Sequence, residues 1–309
     1  MILQVIADGL IVGSVISLGA IGLTITFSIL RFSNFGHGEL LAWGAYIALS
    51  ALAWFAAAGG ADGSRFAPFS FGWPLVFALL VAMAGTAVLA LALDGVLFKR
   101  LRSQGAITLV IASFGAALAT RNLLFFFYGG IPQYYSADLQ IAVALLPRTV
   151  MGGLRVTPDQ LFVLALTVVA VTALHLFLSR STLGRAMRAT SHNPQLARIS
   201  GIDPEHVMRA TWVIGAVLAA LAGVFAGLTV QIRPTMGLDL LLPLFAAAIL
   251  GGIGSVWGAV VGGLVVGLAE SFAVAWVGAE WRAAAAFVVL TAMLLVRPRG
   301  LFGDKGAGG

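Results

Sequence analysis

The chain has 309 residues, of which 60% are hydrophobic, only 10% are charged and none is cysteine. Because a soluble domain typically carries about 25% charged residues, this composition excludes a water-soluble protein, and the lack of cysteine excludes disulfides and thiolate metal sites. The formal net charge of +6 fits a membrane protein that keeps Lys and Arg in its cytoplasmic loops and does not indicate nucleic-acid binding.

Windows of about twenty apolar residues predict nine membrane-spanning helices. The expected fold class is all-α, a polytopic integral membrane protein with about eight or nine spans and one transmembrane domain over residues 1–309. The N-terminus has no basic segment before its apolar run, which indicates a retained first span rather than a cleaved leader. The predicted spans are residues 5–30, 35–57, 73–97, 107–128, 160–178, 211–230, 240–253, 256–276 and 282–296.

The basic residues predict the orientation of these spans, since Lys and Arg concentrate in cytoplasmic loops. With nine spans and the N-terminus outside, 12 of the 18 basic residues lie inside, five lie outside and Arg121 lies within a span. The inner residues are Arg31, Lys99, Arg100, Arg102, Arg180, Arg185, Arg188, Arg198, Arg209, Arg297, Arg299 and Lys305. The outer residues are Arg65, Arg148, Arg155, Arg233 and Arg282.

The longest outer segment, residues 129–160, has Pro, Tyr and Gly-Gly turn signals around short alternating runs. This pattern predicts a small extracytoplasmic hairpin or cap. The segment is either a simple connector or a docking surface for a periplasmic partner. At the other end of the chain, the glycine-rich residues 302–309 are predicted to form a flexible tail.

The polar segment 180–209 interrupts the apolar pattern and is predicted to be cytoplasmic. Residues 181–182 can cap a first helix that ends near residue 188, and Asn193 followed by proline starts a second, short helix. Gly201 is placed to end that helix, and Asp203 followed by proline starts the helix that becomes the sixth span. Since a two-turn helix is not stable alone, it must pack either on the protein's own cytoplasmic face or in a groove of a soluble subunit.

The stretch "RFSNFGHGEL", residues 31–40, places ionisable groups at the junction of the first two spans. Such groups are costly in lipid and face a partner or a water-filled path. Arg31 and Glu39 can form an interfacial ion pair, or the stretch can belong to a translocation path or gate. One His and one Glu are too few ligands for a metal.

Three further features of the sequence concern the glycine-rich residues 250–258, the glycine stripes that follow them and two charged residues within predicted spans. Residues 250–258, rich in glycine, are either a cytoplasmic turn or a helix break at membrane depth. The glycine stripes around Gly258 and Gly267 predict close helix packing, with hinge motion as the functional alternative. Arg121 and Glu270 lie at similar predicted depths and are expected to pair. The candidate path or gating residues are Asn34, Gly36, His37, Gly38, Glu39, Gly251, Gly252, Gly254 and Ser255.

The chain has neither a phosphate-binding loop ending in Gly-Lys-Ser/Thr nor a nucleophile or metal constellation. We therefore expect no enzyme activity, no cofactor and no ATP binding by this chain itself. An ion-coupled secondary transporter, with Glu39, Arg121 or Glu270 as coupling groups, is the rival class. Such transporters usually show paired repeats with broken helices, and this class leaves the polar segment unexplained.

The polar segment carries the pattern Ala189-x3-Asn193-Pro194-x2-Ala197-x3-Gly201-Ile202. It resembles the cytoplasmic coupling segment of ABC importer permeases, in the form found in branched-chain amino-acid permeases. Three further blocks, residues 22–49, 247–270 and 297–303, match the same family in the same order. The chain is identified by this resemblance as a member of the LivH-type permeases.

This resemblance implies a type II ABC importer-like fold with short cytoplasmic coupling helices, placed in the bacterial inner (cytoplasmic) membrane. It implies as partners a second homologous permease subunit, two ATPase subunits that bind the ATP and a periplasmic substrate-binding protein. Leucine, isoleucine and valine are the leading substrates, and related permeases take urea or short amides. The ATPase-coupling residues that it implies are Arg185, Ala189, Asn193, Pro194, Ala197, Gly201 and Ile202.

Overall fold

Helices form nearly all of the computed structural model, which describes residues 2–60, 68–136, 142–146, 153–297 and 300–302. Two short π-helical turns, Ala56–Gly60 and Asp94–Phe98, extend two of the helices, and 3₁₀ turns cover Arg102–Gln104 and Ala279–Trp281. The α-helices are α1 (Ile2–Leu30), α2 (His37–Phe55), α3 (Trp73–Leu93), α4 (Lys99–Leu101), α5 (Ala106–Tyr128), α6 (Pro158–Arg180), α7 (Thr182–His192), α8 (Pro194–Ile199), α9 (Pro204–Thr229), α10 (Met236–Gly251), α11 (Val256–Trp276) and α12 (Arg282–Val296).

Eight helical runs within the described residues are long and apolar enough to cross a membrane, which confirms the polytopic all-α fold. The run Trp73–Gln104 joins α3 and α4 without a break. The predicted seventh span, residues 240–253, is the difference: α10 has only 16 residues, about 24 Å at 1.5 Å per residue, which is shorter than a hydrocarbon core of about 30 Å. α10 alone is therefore too short to cross, and the segment before it, whose Ile232 bonds Gln133 at the other end of the bundle, completes this crossing.

Helix α1 is the centre of the bundle and, with α9, is the most buried span. It lies so close to α11 that a Cβ atom on Gly267 would come 2.3 Å from the backbone nitrogen of Gly13. Ser17 Oγ also donates to the carbonyl of Val260 at 3.0 Å. Small residues permit this backbone-to-backbone approach, so the glycine stripe on α11 serves packing, as the sequence pattern predicted. Hinge motion stays a prediction.

The outer segment contains the predicted hairpin. Strands β1 (Val143–Leu146) and β2 (Leu154–Val156) pair antiparallel, and the backbone N–H of Arg155 donates to the side-chain oxygen of Gln4 at 2.9 Å. This bond ties the hairpin to the start of α1. Residues 137–141 and 147–152 of this segment lie outside the described residues.

The first residue of the predicted C-terminal tail lies beside the end of α10. Leu301 and Phe302 donate backbone hydrogen bonds to the carbonyls of Leu250 and Gly251 at 2.8 and 3.0 Å, and the flexibility of residues 302–309 stays a prediction. The remaining tail residues, 303–309, lie outside the described part of the chain. So do four basic residues used for the orientation: Arg65, Arg148, Arg299 and Lys305.

Candidate functional site: the polar segment and an ion pair at membrane depth

The polar segment 180–209 folds through a series of side-chain caps. Ser181 Oγ accepts from the backbone of the third residue of its helix at 2.8 Å, Asn193 Oδ1 does the same for α8 at 3.0 Å, and Asp203 Oδ1 accepts from Glu205 N at 2.9 Å. Each cap satisfies a helix N–H that would otherwise lack a partner. The three predicted helix starts are confirmed. Helix α7, expected to end near residue 188, continues to His192 because no breaking residue precedes Asn193.

Helix α8 ends as predicted at Gly201, whose φ of +85° is easily adopted only by glycine. The N–H of Gly201 donates to the carbonyl of Arg198 at 3.1 Å, and the N–H of Ile202 donates to the carbonyl of Ala197 at 3.0 Å. These two bonds form the Schellman pattern, which satisfies the last carbonyls of the helix. The short helix is therefore closed at both ends by its own sequence.

The two faces of α8 have opposite surroundings. Ala197 is 5% exposed and packs on the protein itself, whereas Leu196 is 61% and Ile199 84% exposed. These two large apolar side chains, one turn apart, form a small apolar patch among polar neighbours. The sequence did not single out Leu196 or Ile199, because two apolar residues on six give no readable period.

The remaining coupling candidates lie around this helix. Arg185, Ala189, Asn193, Pro194 and Gly201 are exposed, and Ile202 is half-buried. The Arg185 guanidinium donates to the carbonyl of Arg180 at 3.1 Å. The predicted coupling residues thus lie on α7, on α8 and in the turns at both ends of α8, and all except Ala197 and Ile202 are exposed.

Charged residues fix the start of α9 to the end of α3 and α4. Arg102 bonds Asp94 at 2.5 Å and Glu205 at 3.0 Å, and Lys99 bonds Glu205 at 3.2 Å. Arg31, at the end of α1, donates from Nη2 to the carbonyl of Ser191 at 2.6 Å. The polar segment is therefore held from two sides.

The chain between α1 and α2 enters the bundle before helix α2 begins. His37 Nε2 is 3.0 Å from the carbonyl oxygen of Gly19, near the middle of α1, so α2 starts at membrane depth. A Cβ atom on Gly38 would lie 2.3 Å from the carbonyl oxygen of Gly237, so α10 starts beside it. The segment before α10 comes from the opposite end of the bundle, where Ile232 N donates to the carbonyl of Gln133 at 2.8 Å.

Non-helical backbone at this depth has its polar groups satisfied by the protein. Phe35 N donates to Ser113 Oγ at 3.1 Å, and Gly36 N donates to Asn34 Oδ1 at 3.0 Å. Irregular backbone is tolerated within a membrane only where protein buries it or where it lines a cavity. The predicted path residues of this stretch, from Asn34 to Glu39, therefore lie together inside the bundle.

An ion pair lies beside this segment. Arg121 on α5 donates from Nε and Nη2 to Glu39 Oε1 at 2.9 and 2.8 Å. Both predicted pairings are wrong: Glu270 faces Arg282 at 3.9 Å, and Arg31 bonds the polar segment instead of Glu39. The predictions failed because depth alone does not say which helices are neighbours, and α2 starts deeper than an ordinary span.

The second group of predicted path residues lies elsewhere. Helix α10 ends at Gly251. The next two glycines of the set, Gly252 and Gly254, have φ of +96° and +95°. Ser255 Oγ then caps α11 by accepting a hydrogen bond from the backbone N–H of Gly258 at 3.0 Å. An added Cβ at Gly254 would lie 3.8 Å from Ser28, near the end of α1. The junction is thus a tight turn at the end of the bundle, and its role in gating stays a prediction.

Comparison with known proteins decides the family. The model of a family described as "branched-chain amino acid transport system / permease component" matches residues 5–297. The chain belongs to this family. Among the described residues, no cluster of three or more His, Asp or Glu that would suit a metal is present.

Relatives of this permease family match along nearly the whole chain. The high-affinity branched-chain amino acid transport system permease protein BraD of Pseudomonas aeruginosa is 32% identical, covering 97% of this chain and 95% of that protein. LivH of Escherichia coli strain K12, with the same description, is 32% identical over the same shares. Among solved structures, a chain of PsaBC from Streptococcus pneumoniae in complex with Fab has a TM-score of 0.47 and 13% identity, covering 94% of this chain and 91% of that one.

One surface of this permease is apolar and uncovered. Helix α5 buries a single stripe of residues and exposes the rest, as expected for a helix at the rim of a bundle that lipid or another chain covers. The large exposed apolar residues on α5 are Ile107, Ile111, Phe114, Leu118, Leu123, Phe125, Phe126 and Phe127.

Proposed function

We propose that this chain is the permease subunit of a bacterial ABC importer that moves leucine, isoleucine and valine across the inner membrane, powered by separate ATPase subunits. The carrying observation is α8, a capped two-turn helix that exposes Leu196 and Ile199 outside the membrane bundle. Membership in the permease family supports the transport function, and the descriptions of BraD and LivH support the substrate class.

The contacts of the polar segment support a mechanical role. A displacement of α8 moves α9 directly, because the connection between the two helices is very short. Only Ile202 lies between the Schellman turn at Gly201 and Asp203, which caps α9. The charge network of Arg102 and Glu205 passes the displacement to the span Trp73–Gln104. The ATPases would thereby move whole spans rather than bend a loose loop, and the bundle would open alternately to each side of the membrane.

The proposed partners are those that the resemblance to LivH-type permeases implies, and features of the chain agree with them. Two ATPase subunits bind the ATP, since this sequence has no phosphate-binding loop, and no cofactor is required. A second homologous permease covers the apolar face of α5, and a periplasmic substrate-binding protein docks on the outer segment 129–160. Selectivity resides mainly in that binding protein, and the path through the permease is mostly apolar.

The decisive experiment reconstitutes this chain into proteoliposomes with and without the ATPase subunits and the substrate-binding protein of a branched-chain amino acid importer from the same organism. Uptake of labelled leucine is expected only with both partners and ATP. Uptake of labelled urea or acetamide in place of leucine would assign a different substrate within the family. Leucine uptake by this chain alone, driven by a proton or sodium gradient, would contradict the proposal and favour the ion-coupled class.

A further inference from the structure

A small recess lies at membrane depth between α2, α3, α5 and α9. Glu39 and Trp43 of α2, Thr120 of α5 and Trp212 of α9 line it, together with Asn34 from the segment before α2. Its free space is about 10 Å³, which is about what one water molecule needs. A side chain or a whole amino acid does not fit.

Some polar atoms of the residues around the recess have hydrogen-bond partners in the protein, and others do not. Asn34 Oδ1 accepts a backbone hydrogen bond at 3.0 Å, and Trp43 Nε1 donates to the carbonyl of Thr120 at 3.1 Å. Two buried side-chain atoms of the residues that line the recess have no hydrogen-bond partner in the described part of the chain: the carboxylate oxygen Oε2 of Glu39 and the indole nitrogen Nε1 of Trp212. Both residues are 2% exposed, and a buried polar group without a partner is costly.

These two atoms define the chemistry of a guest. Glu39 Oε2 accepts hydrogen bonds, whereas the indole N–H of Trp212 only donates, so the guest must both donate and accept. A water molecule does both, an ammonium group cannot accept, and an anion such as chloride cannot donate. We propose that the recess is a site for one ordered water that bridges Glu39 Oε2 and Trp212 Nε1.

The bridge would join the ion pair to the helix that follows the coupling segment. Trp212 lies about two turns into α9, and its ring stacks on Phe98 at 5.1 Å. Glu39 is held by Arg121 on α5. A water-mediated bond is nearly as favourable as a direct one, so a displacement of α9 reaches Glu39 through this water. This consequence, unlike the water site itself, rests on the proposed function.

The test is an experimental structure of this full chain in lipid nanodiscs, without added partner subunits, at a resolution that shows ordered waters. In the native protein we expect one density peak within hydrogen-bonding distance of both Glu39 Oε2 and Trp212 Nε1. Trp212→Phe keeps the stacked ring but removes the N–H, and the bridging peak is expected to vanish or shift onto Glu39 alone. An empty recess in the native protein, or density for a substrate head group there, would overturn the site.

The coupling role has its own readout, the leucine taken up per ATP hydrolysed in proteoliposomes. Trp212→Phe is expected to lower this ratio by up to about fivefold, because the loss of one hydrogen bond can bias an equilibrium between two conformations by no more than about that factor. The matched control is Trp257→Phe, because Trp257 is half-exposed and stacks on His175 at 5.1 Å, away from the recess. An equal ratio in both variants would refute the coupling role. Since the density peak requires no transport, its outcome is independent of the proposed function.

Discussion

The ion pair between Arg121 and Glu39 makes a quantitative prediction about stability. Arg121→Met removes both hydrogen bonds, at 2.9 and 2.8 Å, and leaves the carboxylate of Glu39 buried without its counter-charge. Breaking a buried pair in this way costs about 3–5 kcal/mol. The double variant Arg121→Met with Glu39→Gln removes both charges and is expected to recover most of that loss, because two neutral side chains of similar volume carry no uncompensated charge.

The assay is reversible unfolding in mixed detergent micelles, followed by circular dichroism for the single and double variants. Lys99→Met is the matched control, since Lys99 and Glu205 form a pair at 3.2 Å with side chains 49% and 40% exposed at the end of the bundle. A pair exposed to this degree contributes at most about 1 kcal/mol. If Arg121→Met lowers the free energy of unfolding no more than Lys99→Met, or if the double variant is as unstable as the single one, the buried pair does not have the role described.

Three further predictions concern the coupling segment and the centre of the bundle. Gly201→Ala is expected to lower the free energy of unfolding by about 1 kcal/mol or more, since φ is +85° at this position. It is also expected to lower the leucine taken up per ATP hydrolysed. If neither quantity changes, the Schellman turn has no role in coupling. The double variant Leu196→Ser with Ile199→Ser is expected to weaken binding of the ATPase to the permease at least tenfold, because burying one large apolar side chain in an interface contributes about 1.5–3 kcal/mol. The dissociation constant is measured in a titration by fluorescence anisotropy. Ser200→Ala is the control that should bind normally, since Ser200 is also exposed. Gly267→Ile is expected to prevent folding, judged by the monodisperse fraction in gel filtration, because its Cβ alone would come 2.3 Å from Gly13 N; a normal elution profile would show that α1 and α11 are not packed this closely.

The parts of the fold that depend on local chemistry were predictable from the sequence. Helix starts and stops depend on single residues and their immediate neighbours. The structure has the predicted caps at Asn193 and Asp203 and the predicted stop at Gly201. The long apolar runs gave the spans to within a few residues for the same reason. The predicted seventh span starts at residue 240, whereas helix α10 begins at Met236. The start was predicted too late because the charged Asp239 lies within the first turn of the helix and therefore outside the apolar window.

The parts that depend on long-range packing were not predictable. Gly38 and Gly237 are in backbone contact although 199 positions separate them in the chain, and no local pattern signals that meeting. The same packing sets α2 at mid-depth of α1 and brings Glu39, rather than Glu270, to Arg121. A sequence can place charges by depth, but the choice of partner depends on which helices are neighbours.

The central claim, that ATPase subunits drive this permease through α8, has a direct test. The chain has no cysteine, so Ile199→Cys introduces a single site for a maleimide probe, and Ile131→Cys, 73% exposed in the outer segment, serves as the reference. We expect rapid labelling of both sites in the isolated permease and strong protection of Ile199→Cys alone once the ATPases are added. Equal labelling of Ile199→Cys with and without the ATPases, in a complex that still transports leucine, would contradict it.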